Sequence, residues 1–325
     1  MKALLYPFSP TEPSVQLTKD FPELDWVVVQ SPEDVARAAP GAAIYVTSNR
    51  TCKPATGEAL RRHGDALRWM HFTSAGIDNG IAMGIPDGVV VTNSAGVRAG
   101  NVSEQALTLL LALVRKLPDL MARQRAHSWQ RAEMTPHIAS LEGATVCVVG
   151  RGPIGRELAR KLTAVNARPI AVSRTLDGDG DVEQVFPRER LHEALAISDA
   201  VAICTAGDES TRHMLGAGAC AAMKPSAIIV NVARGSIIDE AALIAALRDG
   251  RIAGAGLDVV ATEPMPADNP LWDLPNVIVS PHVAGQGSSG YPQQRKLFGD
   301  NFARFREGRP MINECKMPAH MTAQR

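Results

Sequence analysis

The chain has 325 residues, 45% hydrophobic and 21% charged, and 34 basic side chains balance 34 acidic ones to a formal charge of +0. That length suits two domains of ordinary size. The balanced charge leaves no electrostatic footprint for nucleic acid or an anionic membrane, and neither is expected as a partner.

At the N-terminus the apolar run before Pro7 is too short for a signal-peptide core. Short apolar runs at 2–6, 26–29, 43–47, 70–73 and 89–92 read as strands. Between them lie helical patterns such as 31–38, where Ser31 can cap and Pro32 suits the first turn. This alternation predicts a parallel sheet with helices on both faces. Over 102–114 apolar residues surround nearly the whole helix, which marks it as buried between domains or in a subunit interface. The run 106–114 within it is about half of what a membrane span needs. Strands recur at 146–149, 169–172, 200–204, 228–232, 256–260 and 277–280. A last helix, about 293–306, sets Phe298, Phe302 and Phe305 on one stripe and Arg295, Arg304 and Arg306 outside it, a pattern of core packing. Cys52, Cys147, Cys204, Cys220 and Cys315 are scattered with no Cys-x-x-Cys pair, which points to a reducing compartment, the cytoplasm.

The most informative stretch is 146–175, VCVVGRGPIGRELARKLTAVNARPIAVSRT. A buried strand runs into Gly150, Gly152 and Gly155, and a helix opens at once. In that context the three glycines serve a tight turn, close approach to a pyrophosphate and close helix–strand packing. The phosphates would sit on the free N–H groups at the helix start. A second strand ends at Ser173-Arg174-Thr175, where an acid would suit the ribose 2′-hydroxyl of NAD. Two hydroxyls and a guanidinium suit a 2′-phosphate instead, so NADP is the expected cofactor, with NAD possible. The unit begins in mid-chain and the last helix lies beyond its final strand. The simplest arrangement is two doubly wound α/β domains. A Rossmann-type cofactor domain of residues 98–287 interrupts a flavodoxin-like substrate domain of 1–97 and 288–325.

In open α/β sheets ligands bind outside the carboxyl ends of the strands. Three polar residues stand just past such ends: Arg234 in NVARGSIIDE, Glu263 in ATEPMP and His282 in SPHVAG. Singly, each has an ordinary reading as a surface charge, a turn residue or a loop residue. Together they match the needs of hydride transfer to a 2-oxo acid. A guanidinium can hold the substrate carboxylate and polarise the carbonyl. A histidine can supply the proton to the developing alkoxide. A carboxylate beside the imidazole can stabilise its protonated form.

With these residues in place the chain resembles the D-isomer-specific 2-hydroxyacid dehydrogenase family, which includes glyoxylate/hydroxypyruvate reductases. The resemblance spans nearly the whole length and is carried by VVGRGPIGRELA, NVARGSIIDEAALIAAL, GAGLDVVATEPMP and PNVIVSPHVAG. It implies Arg234 as substrate anchor, His282 as general acid/base and Glu263 as its partner. It implies that Gly150, Arg151, Gly152, Pro153, Ile154 and Gly155 border the cofactor phosphates. It extends the cofactor site to Cys204, Thr205, Val232, Ala233, His282 and Gly285, and gives Asp258 the nicotinamide side. For Asp258 a strand-end acid holding a loop is the other reading. In FTSAGIDNG, Ser74, Ala75 and Gly76 match the loop whose N–H groups take the substrate carboxylate. Ser48, Asn49 and Arg98 are placed near the side-chain pocket by analogy only.

The implied activity is reduction of a small 2-oxo acid, glyoxylate or hydroxypyruvate, to the D-2-hydroxy acid in a homodimer, with NADPH preferred. Two departures from relatives stand out. Thr205-Ala206-Gly207-Asp208 replaces a proline-containing loop, leaving room for a 2′-phosphate or making the loop more mobile. The tail ECKMPAHMTAQR follows no family pattern. The turn LDGDGDV at 176–182 resembles a calcium loop but lacks the required glycine at Val182 and glutamate at Arg188, so no metal is expected. The rival readings are an NAD-dependent or phosphoglycerate dehydrogenase and a nucleotide-sensing corepressor on the same fold. A formate dehydrogenase is disfavoured because such relatives carry an amide where Glu263 stands.

Overall fold

The computed structural model describes residues 1–176, 180–287 and 290–315. The middle of the acidic turn 176–182 and most of the tail after Asn313 lie outside the described residues. The chain divides into two compact units, Met1–Arg98 together with the chain from Gly287, and Ala99–Gln286.

The first unit holds five strands, β1 (Lys2–Tyr6), β2 (Asp25–Val28), β3 (Ala42–Thr47), β4 (Trp69–Phe72) and β5 (Val90–Thr92). They pair in parallel in the order β2-β1-β3-β4-β5, the flavodoxin-like winding. All of β3 and β4 is buried, as a strand covered on both faces requires. Ser31 caps its helix by accepting from the Asp34 N–H at 3.1 Å. The C-terminal helix Gly290–Arg306 lays Phe298 and Phe302 into this unit's core, so the phenylalanine stripe is packing. Phe298 stacks on Trp69 with ring centroids 5.2 Å apart and meets Phe21 edge-on at 5.0 Å.

One polar group sits inside that aromatic layer. His71 is fully buried beside Trp69 and Phe298; its Nδ1 lies 2.8 Å from Thr92 Oγ1, and its Nε2 has no partner among the described residues. Burial drives its pKa down to about 3, so the folded protein holds it neutral. An unfolded histidine titrates near ~6.5. Between these values the unfolded chain binds the extra proton, so the stability conferred by the neutral imidazole is present above pH ~6.5 and declines toward pH 3, by up to about 1.4 kcal/mol per pH unit. Urea unfolding at pH 8, 6 and 5 should show wild type losing stability faster than His71→Asn. Parallel losses in the two proteins would contradict this.

The second unit holds β6 (Thr145–Val149), β7 (Arg168–Val172), β8 (Val185–Phe186), β9 (Ala200–Ile203), β10 (Ile228–Asn231), β11 (Gly254–Leu257) and β12 (Val277–Val279). All pair in parallel in the order β12-β11-β10-β9-β6-β7-β8. Counted from β6 this is the Rossmann order 3-2-1-4-5-6 with one further strand. At two residues, β8 is too short to show a period in the sequence. Helix Ala99–Val114 buries Val102, Ala106, Leu109, Leu110 and Leu113, and Leu111 is exposed. Its apolar face meets this unit's own sheet, where a Cβ on Gly256 would stand 3.0 Å from the Leu109 Cβ. The burial read as a domain or subunit interface is therefore largely ordinary helix-on-sheet packing. Among the described residues no helix is long and apolar enough to cross a membrane.

Candidate active site

The strand order reverses between β6 and β9, and the glycine fingerprint opens at that point. Gly150 takes φ +101°, and a Cβ there would come within 2.6 Å of the Thr205 backbone at the end of β9. A Cβ on Gly155 would lie 2.0 Å from the Gly150 carbonyl oxygen, so helix Pro153–Ala164 can start only with glycine there. Gly152 precedes that helix with no side-chain cap, and a Cβ on it would meet nothing within 4 Å. Two glycines thus bring backbone together and the third leaves space before uncapped helix N–H groups, a geometry that fits a dinucleotide pyrophosphate.

Beside the glycines lies a cavity of about 230 Å³, bordered by Arg151, Ser173, Arg174, Thr175, Cys204 and Thr205. Burial pushes the Cys204 thiol up to about 12, so this wall is neutral. Pro153 borders a neighbouring hollow with Gly152, while Ile154 packs into the core. Arg188 and Asp208 also line the cavity, and sequence reading missed both as site residues. Arg188 Nη1 donates to the Ser210 carbonyl at 3.0 Å and to Ser210 Oγ at 2.9 Å. Asp208 caps the turn Glu209–Thr211, and its hydrogen bond with Ser210 leads the groups that hold its carboxyl below the usual range.

On the same sheet edge, Val232 and Ala233 are buried past β10 and lead to Arg234. The Arg234 carbonyl accepts from Asn231 Nδ2 at 2.9 Å, and its Nη1 donates to the Ala233 carbonyl at 2.8 Å. A Cβ on Gly207 would stand 2.6 Å from Arg234 Cγ. The small residues after Cys204 therefore give the Arg234 stem its passage, a use the sequence did not suggest. His282 Nδ1 lies 2.7 Å from Glu263 Oε2. Their side chains are 43% and 38% exposed, so the pair is open to solvent while Nδ1 is engaged.

The turn carrying His282 is held by one buried carboxylate. Asp258 Oδ1 accepts from Ser280 Oγ at 2.6 Å and the Val283 N–H at 3.0 Å, and Oδ2 from the Ala284 N–H at 2.9 Å. His282 itself takes φ +53° and donates its N–H to the Asp258 carbonyl at 2.8 Å. Within the chain Asp258 thus acts as the loop-holding acid. Gly285 follows directly in the same turn.

In the first unit, Ser74, Ala75 and Gly76 follow β4. Ser74 Oγ donates to the Gly76 carbonyl at 2.8 Å and accepts the Asn49 N–H at 3.2 Å, and Asn93 Nδ2 donates to the Ala75 carbonyl at 2.7 Å. The loop's carbonyls are engaged, while among the described residues no bond from the Ala75 or Gly76 N–H is made within the chain. Asn49 pins the adjoining helix start by accepting from the Asn79 N–H at 2.9 Å, and Ser48 accepts from the Arg50 N–H at 3.3 Å. Arg98 is half-buried, and burial first, with Arg50 adding to it, lowers its pKa against the pull of Glu12.

Residues 107–284 match the family model described as "D-isomer specific 2-hydroxyacid dehydrogenase, NAD binding domain". Glyoxylate reductase of Thermococcus gammatolerans is 34% identical over 68% of this chain and 67% of its own length. Glycerate dehydrogenase of Methylorubrum extorquens is 30% identical over 86% of this chain and 88% of its own. The solved D-isomer specific 2-hydroxyacid dehydrogenase of Xanthobacter autotrophicus, in complex with NADPH and MES, superposes with TM-score 0.80 at 27% identity, covering 97% of this chain and 98% of that one. The chain belongs to the D-isomer specific 2-hydroxyacid dehydrogenase family. It is an oxidoreductase with a nicotinamide cofactor.

The Gly207 contact gives a direct test of how Arg234 is placed. Gly207→Ala should displace the Arg234 stem and lower kcat/KM for a 2-oxo acid by about 10- to 100-fold, with nucleotide affinity near wild type. Steady-state kinetics with a binding titration checks this; unchanged kcat/KM removes the constraint ascribed to Gly207.

Proposed function

We propose that this protein reduces a small 2-oxo acid of the glyoxylate or hydroxypyruvate type to the D-2-hydroxy acid, with NADPH as the preferred donor. The observation that carries the reading is the 2.7 Å contact of His282 Nδ1 with Glu263 Oε2 on the sheet edge that also bears Arg234 and the glycine fingerprint. The glyoxylate reductase and glycerate dehydrogenase relatives support this substrate class.

Arg234 takes the substrate carboxylate and draws electron density from the carbonyl. Glu263 fixes the imidazole through Nδ1, which leaves Nε2 to give a proton to the substrate oxygen. A nicotinamide dinucleotide held at the Gly150–Gly155 turn would supply the hydride. One hydride and one proton convert the C2 carbonyl to the alcohol, and the proton comes from His282. Ser173, Arg174 and Thr175 receive the 2′-phosphate. Asp208, the carboxylate bordering that cavity, is engaged by Ser210 and Thr211. The relative solved with NADPH supports the same choice.

A panel of 2-oxo acids with either nucleotide, followed as loss of absorbance at 340 nm, tests the reading, and no turnover with any acid defeats it. His282→Asn should lower kcat by about 10²- to 10⁴-fold; a loss below tenfold excludes His282 as the proton donor. A charge-assisted hydrogen bond contributes about 1.5–3 kcal/mol, so Arg174→Ala should raise the KM for NADPH by roughly 10- to 150-fold and spare NADH. Equal changes for both nucleotides would exclude Arg174 as the 2′-phosphate reader.

The working unit is proposed to be a homodimer in a reducing compartment, the cytoplasm. Its support is the exposed apolar surface of Leu117, Leu120, Met121 and Trp129, the last 96% exposed, and five free cysteines. Mass measurement in solution should give two chains, and Leu120→Glu should shift the mass toward one. A monomeric wild type overturns the dimer.

A further inference from the structure

The residue between the first two fingerprint glycines is an arginine with almost no access to solvent. The Arg151 side chain is 1% exposed and reaches across to Asp181, 30 residues further on. Its Nε donates to Asp181 Oδ1 at 2.9 Å, and its Nη2 makes a second bond to the same oxygen. The Asp181 side chain is 19% exposed, and its Oδ2 is buried without a partner among the described residues. Arg151 lines the cavity that holds Ser173, Arg174 and Thr175. Asp181 borders the adjoining hollow, and Gly152 lies on the margin of both.

A carboxylate this close to a 2′-phosphate site opposes a ligand that brings two negative charges. In a partly buried setting that repulsion is weakly screened. The guanidinium of Arg151 cancels it at its source through the ion pair. We propose that Arg151 is a positioning residue for cofactor choice, acting through Asp181: by neutralising and anchoring that carboxylate it lets the Ser173–Thr175 tip accept a 2′-phosphate. The proposal rests on the NADPH reading above. It assigns the fingerprint arginine a part that neither the glycine pattern nor the strand-tip residues supply.

The test uses the full chain and two probes, 2′,5′-ADP and 5′-AMP, which differ only in the 2′-phosphate, with affinities from calorimetric titration. Wild type should prefer 2′,5′-ADP; equal affinity for the two probes defeats the NADPH reading itself. With that preference present, Arg151→Gln should weaken 2′,5′-ADP by about tenfold or more, as expected for one uncompensated charge nearby, and leave 5′-AMP close to wild type. The double variant Arg151→Gln with Asp181→Asn should regain most of the 2′,5′-ADP affinity. Equal losses for both probes would reduce Arg151 to a general structural part. A double variant as weak as the single one would mean that Arg151 touches the phosphate itself; either result overturns the proposal. Retained 5′-AMP binding reports that each variant is folded. Should Arg151→Gln not fold, Asp181→Asn alone decides: tighter 2′,5′-ADP binding than wild type supports the proposal, and equal or weaker binding overturns it.

Discussion

Parallel pairing is the constraint on which the rest of this structure depends. When every strand of a sheet runs the same way, every carboxyl end falls on one edge, and each connection must return across a face before the next strand begins. Residues far apart in sequence, Gly150, Arg234, Glu263 and His282, therefore share an edge of the second sheet with no direct chain linkage between them. The same logic in the first sheet sets the loop after β4 beside the turn after β3, where Asn49 and Ser74 hydrogen-bond.

Within that frame the side chains proposed to react are oriented by their neighbours. Asp258 gathers Ser280 and two backbone N–H groups around a buried carboxylate, and the positive φ of His282 is held by that arrangement. Gly207 yields the space through which Arg234 extends, and Gly150 lets the β6 and β9 turns touch. Small residues are essential at these points because the neighbour is backbone or the root of a side chain, neither of which can swing aside.

Much of this was legible in the sequence because it is governed by local rules. Strand and helix alternation, the Ser31 cap and the glycine spacing each follow from periodicity or from a turn's φ requirement. Arg234, Glu263 and His282 were legible as candidates because each stands two or three residues beyond an apolar run that reads as a strand. Other features left no such trace. The two-residue β8 carries no period, and the apolar surround of helix Ala99–Val114 could not say which surface would cover it. The Arg151–Asp181 pair joins a glycine turn to an acidic turn that reads alone as a solvated loop.

By itself the sequence determined the two-domain α/β class, the strand–glycine–helix fingerprint and which three polar residues stand past the strand ends, because these depend on residue type and local spacing. Tertiary structure alone decided that His282 Nδ1 meets Glu263, that Asp258 clamps the histidine turn, that Gly207 lies against Arg234 and that Arg151 is buried on Asp181. Each of these is a contact between segments brought together only by the winding of the sheet. Such contacts depend on distance in space, which no local pattern encodes.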